Sequence, residues 1–223
     1  MASVPGHAEW LSAEEKQRAE RYRQPAGGSR YRATRVLVRG VLAGLLGRLP
    51  SELTFTENAH GRPGLASGTL ALDFNVSRCP SWLALVVTSG AACGVDVEDT
   101  SRKADILGIA RAFAAEERAA LVSATAEERR RLFFLFWTLK EATLKALGTG
   151  LTLSLGACAF ELQAGKPPAV RYSGAISEDA RAWCFAQLAP DAGHALAVAV
   201  RTPPPLELLV HTSEETCAAL ASL

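Results

Sequence analysis

Residues 126–147, AEERRRLFFLFWTLKEATLKAL, contain neither glycine nor proline, and Gly148 and Gly150 stop the run. The spacing predicts a long helix. Phe136, Leu139, Thr143 and Leu147 fall on one stripe, while Trp137, Glu141 and Lys145, at i, i+4 and i+8, share the neighbouring face. Such a helix must bury its apolar stripe against another layer. Upstream, Gly94-Val95-Asp96-Val97-Glu98 alternates strictly. On a strand that puts Asp96 and Glu98 on one face and Val95 and Val97 on the other.

The other elements read in the same terms. Ser12 with Glu15 is a capping-box signature for a helix running to about Arg23, ended by Pro25-Ala26-Gly27-Gly28. A second helix starts near Ser29 and closes at Gly47 and Pro50. Extended segments are expected at 54–56, 72–76, 82–87 and 94–98, helices at 105–122 and 126–147, and further strands at 157–162, 183–188 and 195–200. The order helix, strand, turn, strand, strand occurs twice, with Gly61-Arg62-Pro63 and Gly165-Lys166-Pro167 in matching turns. The fold class is therefore α+β, built from a duplicated unit joined close to residue 93. The halves would be 1–93 and 94–203, with 204–223 as a C-terminal tail entered through Pro203-Pro204-Pro205.

Composition narrows the function classes. With 24 basic and 23 acidic residues the chain is no nucleic-acid polycation, although residues 1–50 hold nine Lys/Arg against four Asp/Glu and offer a phosphate-binding surface. No apolar run is long enough to span a membrane, and the N-terminus lacks the pattern of a signal peptide, so a cytoplasmic protein is expected. Cys79, Cys93, Cys158, Cys184 and Cys217 are scattered and odd in number, which fits reduced thiols better than a disulfide framework or a zinc site.

Taken singly, Asp96-x-Glu98 is a half-exposed edge strand with its polar residues outward, and Glu141–Lys145 an i,i+4 surface pair worth about 0.3–0.5 kcal/mol. Together the three carboxylates suit Mg²⁺, which takes oxygen ligands and completes its shell with water and phosphate. Mn²⁺ accepts the same donors. A nearby lysine is a point charge for phosphate or a proton acceptor. This set describes chemistry on a pyrophosphate.

The spacing G-x-D-x-E, then about forty residues, then F-x-W-x-x-K-E-A-x-x-K-A-x-G-x-G-L resembles the 4′-phosphopantetheinyl transferases, and the length resembles the Sfp-type branch. The helix around Arg39, the turn His60-Gly61-Arg62-Pro63 and Phe74-Asn75-Val76-Ser77 extend the likeness over roughly residues 11–200. The resemblance implies two similar subdomains, each an antiparallel sheet on a helix, related by pseudo-twofold symmetry with the active site at their interface. It implies transfer of the phosphopantetheine arm of coenzyme A to a serine of an apo carrier protein, releasing 3′,5′-ADP. By that likeness Asp96, Glu98 and Glu141 hold the metal, Glu141 or Lys145 takes the serine proton, and Lys145 also neutralises phosphate charge. Arg18, Arg39, Gly61, Arg62, Pro63, Ser77 and Arg78 would surround the nucleotide. Arg78 stands where the family usually has histidine, and Pro80 departs from the family's small residues. A duplicated chain implies a monomer.

The carrier is expected to dock near 103–121, on Ile106, Ile109 and Phe113, steered by Arg102, Lys103 and Arg111. The alternatives are a different Mg²⁺-dependent phosphate-transfer or pyrophosphate-cleaving enzyme, or a non-enzymatic helical interaction module at 105–147.

Overall fold

The computed structural model describes residues 7–66, 72–150, 153–174, 176–212 and 214–216. Two compact units emerge, one from the described residues within 1–56, 65–70 and 207–223, the other from those within 57–64 and 71–206.

In the first unit, Ser12 caps α1 (Ala13–Glu20) by the expected box: the Glu15 N–H donates to Ser12 Oγ at 3.2 Å and the Ser12 N–H to Glu15 Oε2 at 3.0 Å. The following helix, α2 (Pro25–Leu46), begins four residues earlier than expected. Proline is tolerated at the first helical position, where its missing N–H has no partner to lose. The glycines serve close approach instead of a break, since a Cβ on Gly28 would collide with the Ala19 carbonyl of α1. Glu15 links the helices by accepting from Arg35 Nε at 2.5 Å and Arg39 Nε at 2.8 Å.

The second unit carries every described strand from residue 72 onward. Two short strands, β1 (Phe55–Glu57) and β2 (Pro63–Leu65), bracket the turn 58–62. The strands β3 (Leu72–Arg78) and β4 (Leu83–Ser89) form an antiparallel hairpin with Asn75 opposite Val86. A separate sheet has the order β5-β9-β8, from β5 (Cys93–Asp99), β8 (Cys184–Leu188) and β9 (His194–Val200), with Asp96 opposite Ala197. A third hairpin joins β6 (Cys158–Glu161) to β7 (Ala169–Tyr172), a strand that the sequence reading passes over. The α+β class therefore holds.

The long helix is α5 (Ala126–Leu147), which lies against β5 and β9. Phe136, Leu139 and Thr143 are buried as the stripe requires, and Phe133, Phe134 and Ala142 join them against Phe113, Phe160, Phe185 and the alanines 195, 197 and 199. Each fully buried large side chain contributes about 1.5–3 kcal/mol. Gly94 sets the strand-to-helix distance: a Cβ there would come within 2.7 Å of Ala146 N and closer still to Ala142 O. Val95, Val198 and Val200 fill the opposite face of the sheet with Val86.

The helix expected over 105–122 is two helices, α3 (Ile106–Ala110) and α4 (Ala115–Ser123). The chain turns inward between them to bury Phe113, which is 2% exposed and stacked on Phe133. Phe113 is thus core and offers nothing to a docking partner. Glu117 starts the new helix by accepting from Ala114 N at 2.9 Å, and it also accepts from Phe160 N at 2.8 Å.

Candidate active site

Strand alternation brings Asp96 and Glu98 to the face that α5 covers, and the i,i+4 spacing brings Trp137, Glu141 and Lys145 over them. Lys145 Nζ lies 2.7 Å from Asp96 Oδ1 and 3.0 Å from both Ser77 Oγ and the Val95 carbonyl. Ser77 in turn donates to Asp96 Oδ1 at 2.9 Å. The second carboxylate oxygen, Asp96 Oδ2, is buried and has no hydrogen-bond partner among the described residues.

Glu141 has no hydrogen-bond partner among the described residues. Burial pushes its carboxyl above the ordinary carboxylate value, the charge of Asp96 and then that of Glu98 push the same way, and Lys145 opposes them. Glu98 is differently placed. Its Oε1 accepts from Trp137 Nε1 at 2.9 Å and Arg102 Nη2 at 3.2 Å, and its Oε2 from Arg102 Nε at 2.8 Å.

The donors suit a hard divalent cation: an unpartnered buried oxygen on Asp96, and a Glu141 whose ionisation a cation would favour. Among the described residues, however, no three Asp, Glu, His or Cys side chains close into a ready ligand set. The engagement of Glu98 with Trp137 and Arg102 is one physical reason.

The basic residues expected at the nucleotide divide into kinds. Arg78 ends β3 with an exposed side chain and has no ion-pair partner among the described residues. Arg62 is engaged throughout: its fork meets Asp73 at 2.9 and 2.7 Å, Nη2 reaches the Cys93 carbonyl at 2.9 Å, and Nε reaches the Lys145 carbonyl at 2.9 Å. Gly61 precedes it at φ +78°, inside the turn, and Pro63 opens β2. Arg39, in the first unit, is 3% exposed and gives Nη1 to the carbonyls of Pro50 (2.7 Å) and Leu53 (2.8 Å) in addition to Glu15. It braces the helix pair. Arg18, also in that unit, lies over the Tyr31 ring at 5.7 Å.

Lys140, in the same motif, is the residue that sequence reasoning missed. It is wholly buried, with Nζ 2.8 Å from Glu117 Oε2 and 2.8 Å from the Leu155 carbonyl, and it also donates to the Cys158 carbonyl. One residue turns a helix by about 100°, so Lys140 enters the core while Glu141 faces the site. Asp73 was likewise unremarked, and Asn75 entered only as part of Phe74-Asn75-Val76-Ser77, with no role given to it. The signal available was their period-two spacing with Ser77.

Comparison with known proteins decides the family. Residues 92–199 match the family model described as the 4′-phosphopantetheinyl transferase superfamily. The 4′-phosphopantetheinyl transferase HetI of Nostoc sp. is 32% identical over 193 residues, covering 85% of this chain and 78% of HetI. The chain belongs to the 4′-phosphopantetheinyl transferase superfamily. A Synechocystis relative of this transferase, slr0495, is 36% identical over 151 residues, and the match spans 67% of this chain and 61% of that relative's length. Among solved structures, a Bacillus anthracis holo-(acyl-carrier-protein) synthase in complex with CoA (3′,5′-ADP) matches with 18% identity and a TM-score of 0.41, over 51% of this chain and 98% of that one.

Proposed function

We propose that this transferase moves the 4′-phosphopantetheine arm of coenzyme A onto a serine hydroxyl of an apo carrier protein, with 3′,5′-ADP leaving. The observation that carries this reading, within the family just established, is that Ser77 and Lys145 hold one oxygen of the Asp96 carboxylate, the other is buried and unpartnered among the described residues, and Glu141 is close enough to feel the charge of both Asp96 and Lys145.

The side chains divide the work as follows. Lys145 already donates to Asp96, Ser77 and the Val95 carbonyl, which uses its three N–H groups, so it acts as a fixed positive charge toward the pyrophosphate. Glu141 has a carboxylate with no competing hydrogen bond among the described residues, which leaves it free to accept the serine proton. The serine oxygen bonds to the phosphorus that carries the pantetheine arm as the bond from that phosphorus to the bridging oxygen of 3′,5′-ADP breaks. Asp96 and Glu141, with Glu98 as the weaker candidate, would hold Mg²⁺ or Mn²⁺, which when bound supplies charge stabilisation to the leaving phosphate.

Arg78, exposed at the end of β3, is the candidate for the nucleotide end within its unit. The free thiols Cys79, Cys93, Cys158 and Cys184 support action in a reducing cytoplasm, and no described helix is long and apolar enough to cross a membrane. We further infer a monomer, with the two halves meeting near residue 93 as its internal repeat.

The test is incubation with coenzyme A, Mg²⁺ and an apo carrier protein, followed by mass spectrometry of the carrier. The carrier gains the phosphopantetheine mass, chelation of the metal prevents it, and Asp96→Ala lowers kcat/KM by more than about a hundredfold. Metal-independent behaviour, or full activity of Asp96→Ala, would favour a helical interaction module or a different chemistry.

A further inference from the structure

Only one edge of β5 is used by its sheet, because β9 pairs along one side. The other edge faces β3, which belongs to a different sheet. In a strand, the N–H and C=O of every second residue point to the same edge. On β5 those residues are Cys93, Val95 and Val97.

Side chains of β3 meet all three N–H groups. Cys93 N donates to Asp73 Oδ2 at 2.8 Å, Val95 N to Asn75 Oδ1 at 3.0 Å, and Val97 N to Ser77 Oγ at 3.2 Å. Both series advance by two residues, so three rungs match in register. Two of the three carbonyls on that edge are also taken, Cys93 by Arg62 at 2.9 Å and Val95 by Lys145 at 3.0 Å. A row of side chains thus stands where a neighbouring strand's backbone would be. It satisfies an edge that would otherwise leave polar groups unpaired.

Asp96 sits between the second and third rungs. The first rung continues to the helix: Arg62, forked on Asp73, donates Nε to the Lys145 carbonyl, and Asn58 Nδ2 donates to the Gly148 carbonyl at 2.9 Å. The C-terminal carbonyls of α5 are therefore capped from the turn 58–62. Of the five guanidinium N–H groups of Arg62, four have protein acceptors.

We propose that the ladder Asp73–Asn75–Ser77, with Arg62 at its head, is the device that positions Asp96 and Lys145, and that Arg62 is a positioning residue rather than a nucleotide contact. The proposal rests on the transferase reading only for its kinetic consequence. A lysine would preserve a charge for phosphate but cannot reproduce a planar fork shared between a carboxylate and two backbone carbonyls.

Three variants test it. Arg62→Lys should lower kcat about tenfold with KM for coenzyme A within about twofold of wild type, since small misplacements near reacting groups are costly in rate. Asp73→Asn should reproduce that pattern, and the double variant should be little worse than either single one. Asn75→Ala should speed hydrogen exchange at the Val95 amide about tenfold or more, and Asn75→Asp, which keeps the oxygen, should leave it protected. Thermal midpoints confirm that each variant is folded. If Arg62→Lys keeps its kcat and raises KM for coenzyme A, or if the Val95 amide stays protected in folded Asn75→Ala, the proposal is overturned. The exchange measurement stands apart from catalysis: wild-type protein without transfer activity would sink the transferase reading, while exchange would still decide the ladder.

Discussion

Arg78 follows Ser77 at the end of β3 with its guanidinium exposed, at the position where the resemblance drawn from the sequence leads one to expect histidine. A guanidinium keeps its charge at every working pH, whereas histidine loses it near pH 6.5. Arg78→Ala should raise KM for coenzyme A at least about tenfold, as expected for losing a charge-assisted contact. Arg78→His should recover part of the binding, more at pH 6 than at pH 8. Steady-state kinetics with coenzyme A and with the analogue lacking the 3′-phosphate show which phosphate is held, and unchanged KM for both would place the side chain in solvent. Lys140 presents the opposite case, a cation with no solvent at all. Lys140→Met leaves Glu117 charged and buried without its partner, a loss of about 3–5 kcal/mol measurable by urea unfolding. Adding Glu117→Gln should restore part of it, because the amide oxygen can still accept from the Phe160 N–H. These residues show how legible the site was. Asp96, Glu141 and Lys145 follow from period and spacing, but Arg62, Arg39 and Lys140 are given by the sequence only as charges. Their partners lie 11 to 83 residues away, and no local pattern contains them.

At the scale of elements, α5 and β5 were legible almost to the residue because their periodicity is strong and glycine ends the helix sharply. The start of α2 and the division of α3 from α4 were not, because both depend on tertiary contact: Gly28 against Ala19, and Phe113 drawn into the core. Between α1 and α2 the deciding contact is Glu15, with a titration consequence. Burial opposes its ionisation, but the Arg39 hydrogen bond and the Arg35 charge outweigh burial and hold the carboxyl below its ordinary value of 4.5. A group whose folded pKa is lowered contributes stability that is present above the unfolded pKa and is lost as pH falls through the folded one. Glu15→Gln should therefore be less stable than wild type at pH 7, with the difference shrinking below about pH 4.5. Urea unfolding followed through the fluorescence of Trp10, buried in the same unit, measures this. A constant difference between pH 7 and pH 3 would assign the contribution of Glu15 to packing and not to charge.

For the whole molecule, a net charge of +1 gives no long-range field to attract an acidic partner, so steering must come from a local surface. Around α3 the structure redraws the surface expected from sequence. Phe113 is core, and Ile106 and Ile109 are partly buried against it, whereas Leu107 is 46% exposed. Lys103 and Arg111, also exposed, flank it. Arg102 is drawn toward Glu98 and does not serve as a free charge. An acidic carrier protein would meet Leu107 as the apolar anchor, with Lys103 and Arg111 as the charges that accelerate encounter. Leu107→Asp should raise KM for the carrier by about tenfold or more at any ionic strength, because it removes the apolar anchor and puts a group that must be desolvated at the centre of the contact. Arg111→Glu should raise it severalfold at low salt, and the effect should fade as salt approaches 1 M and the screening length shrinks to about 3 Å. In both variants KM for coenzyme A should remain as in wild type, since neither residue takes part in the Asp96–Lys145 site. Transfer assays with carrier and coenzyme A varied independently separate the cases. Equal weakening toward both substrates would mean that α3 supports the fold and that the carrier docks elsewhere.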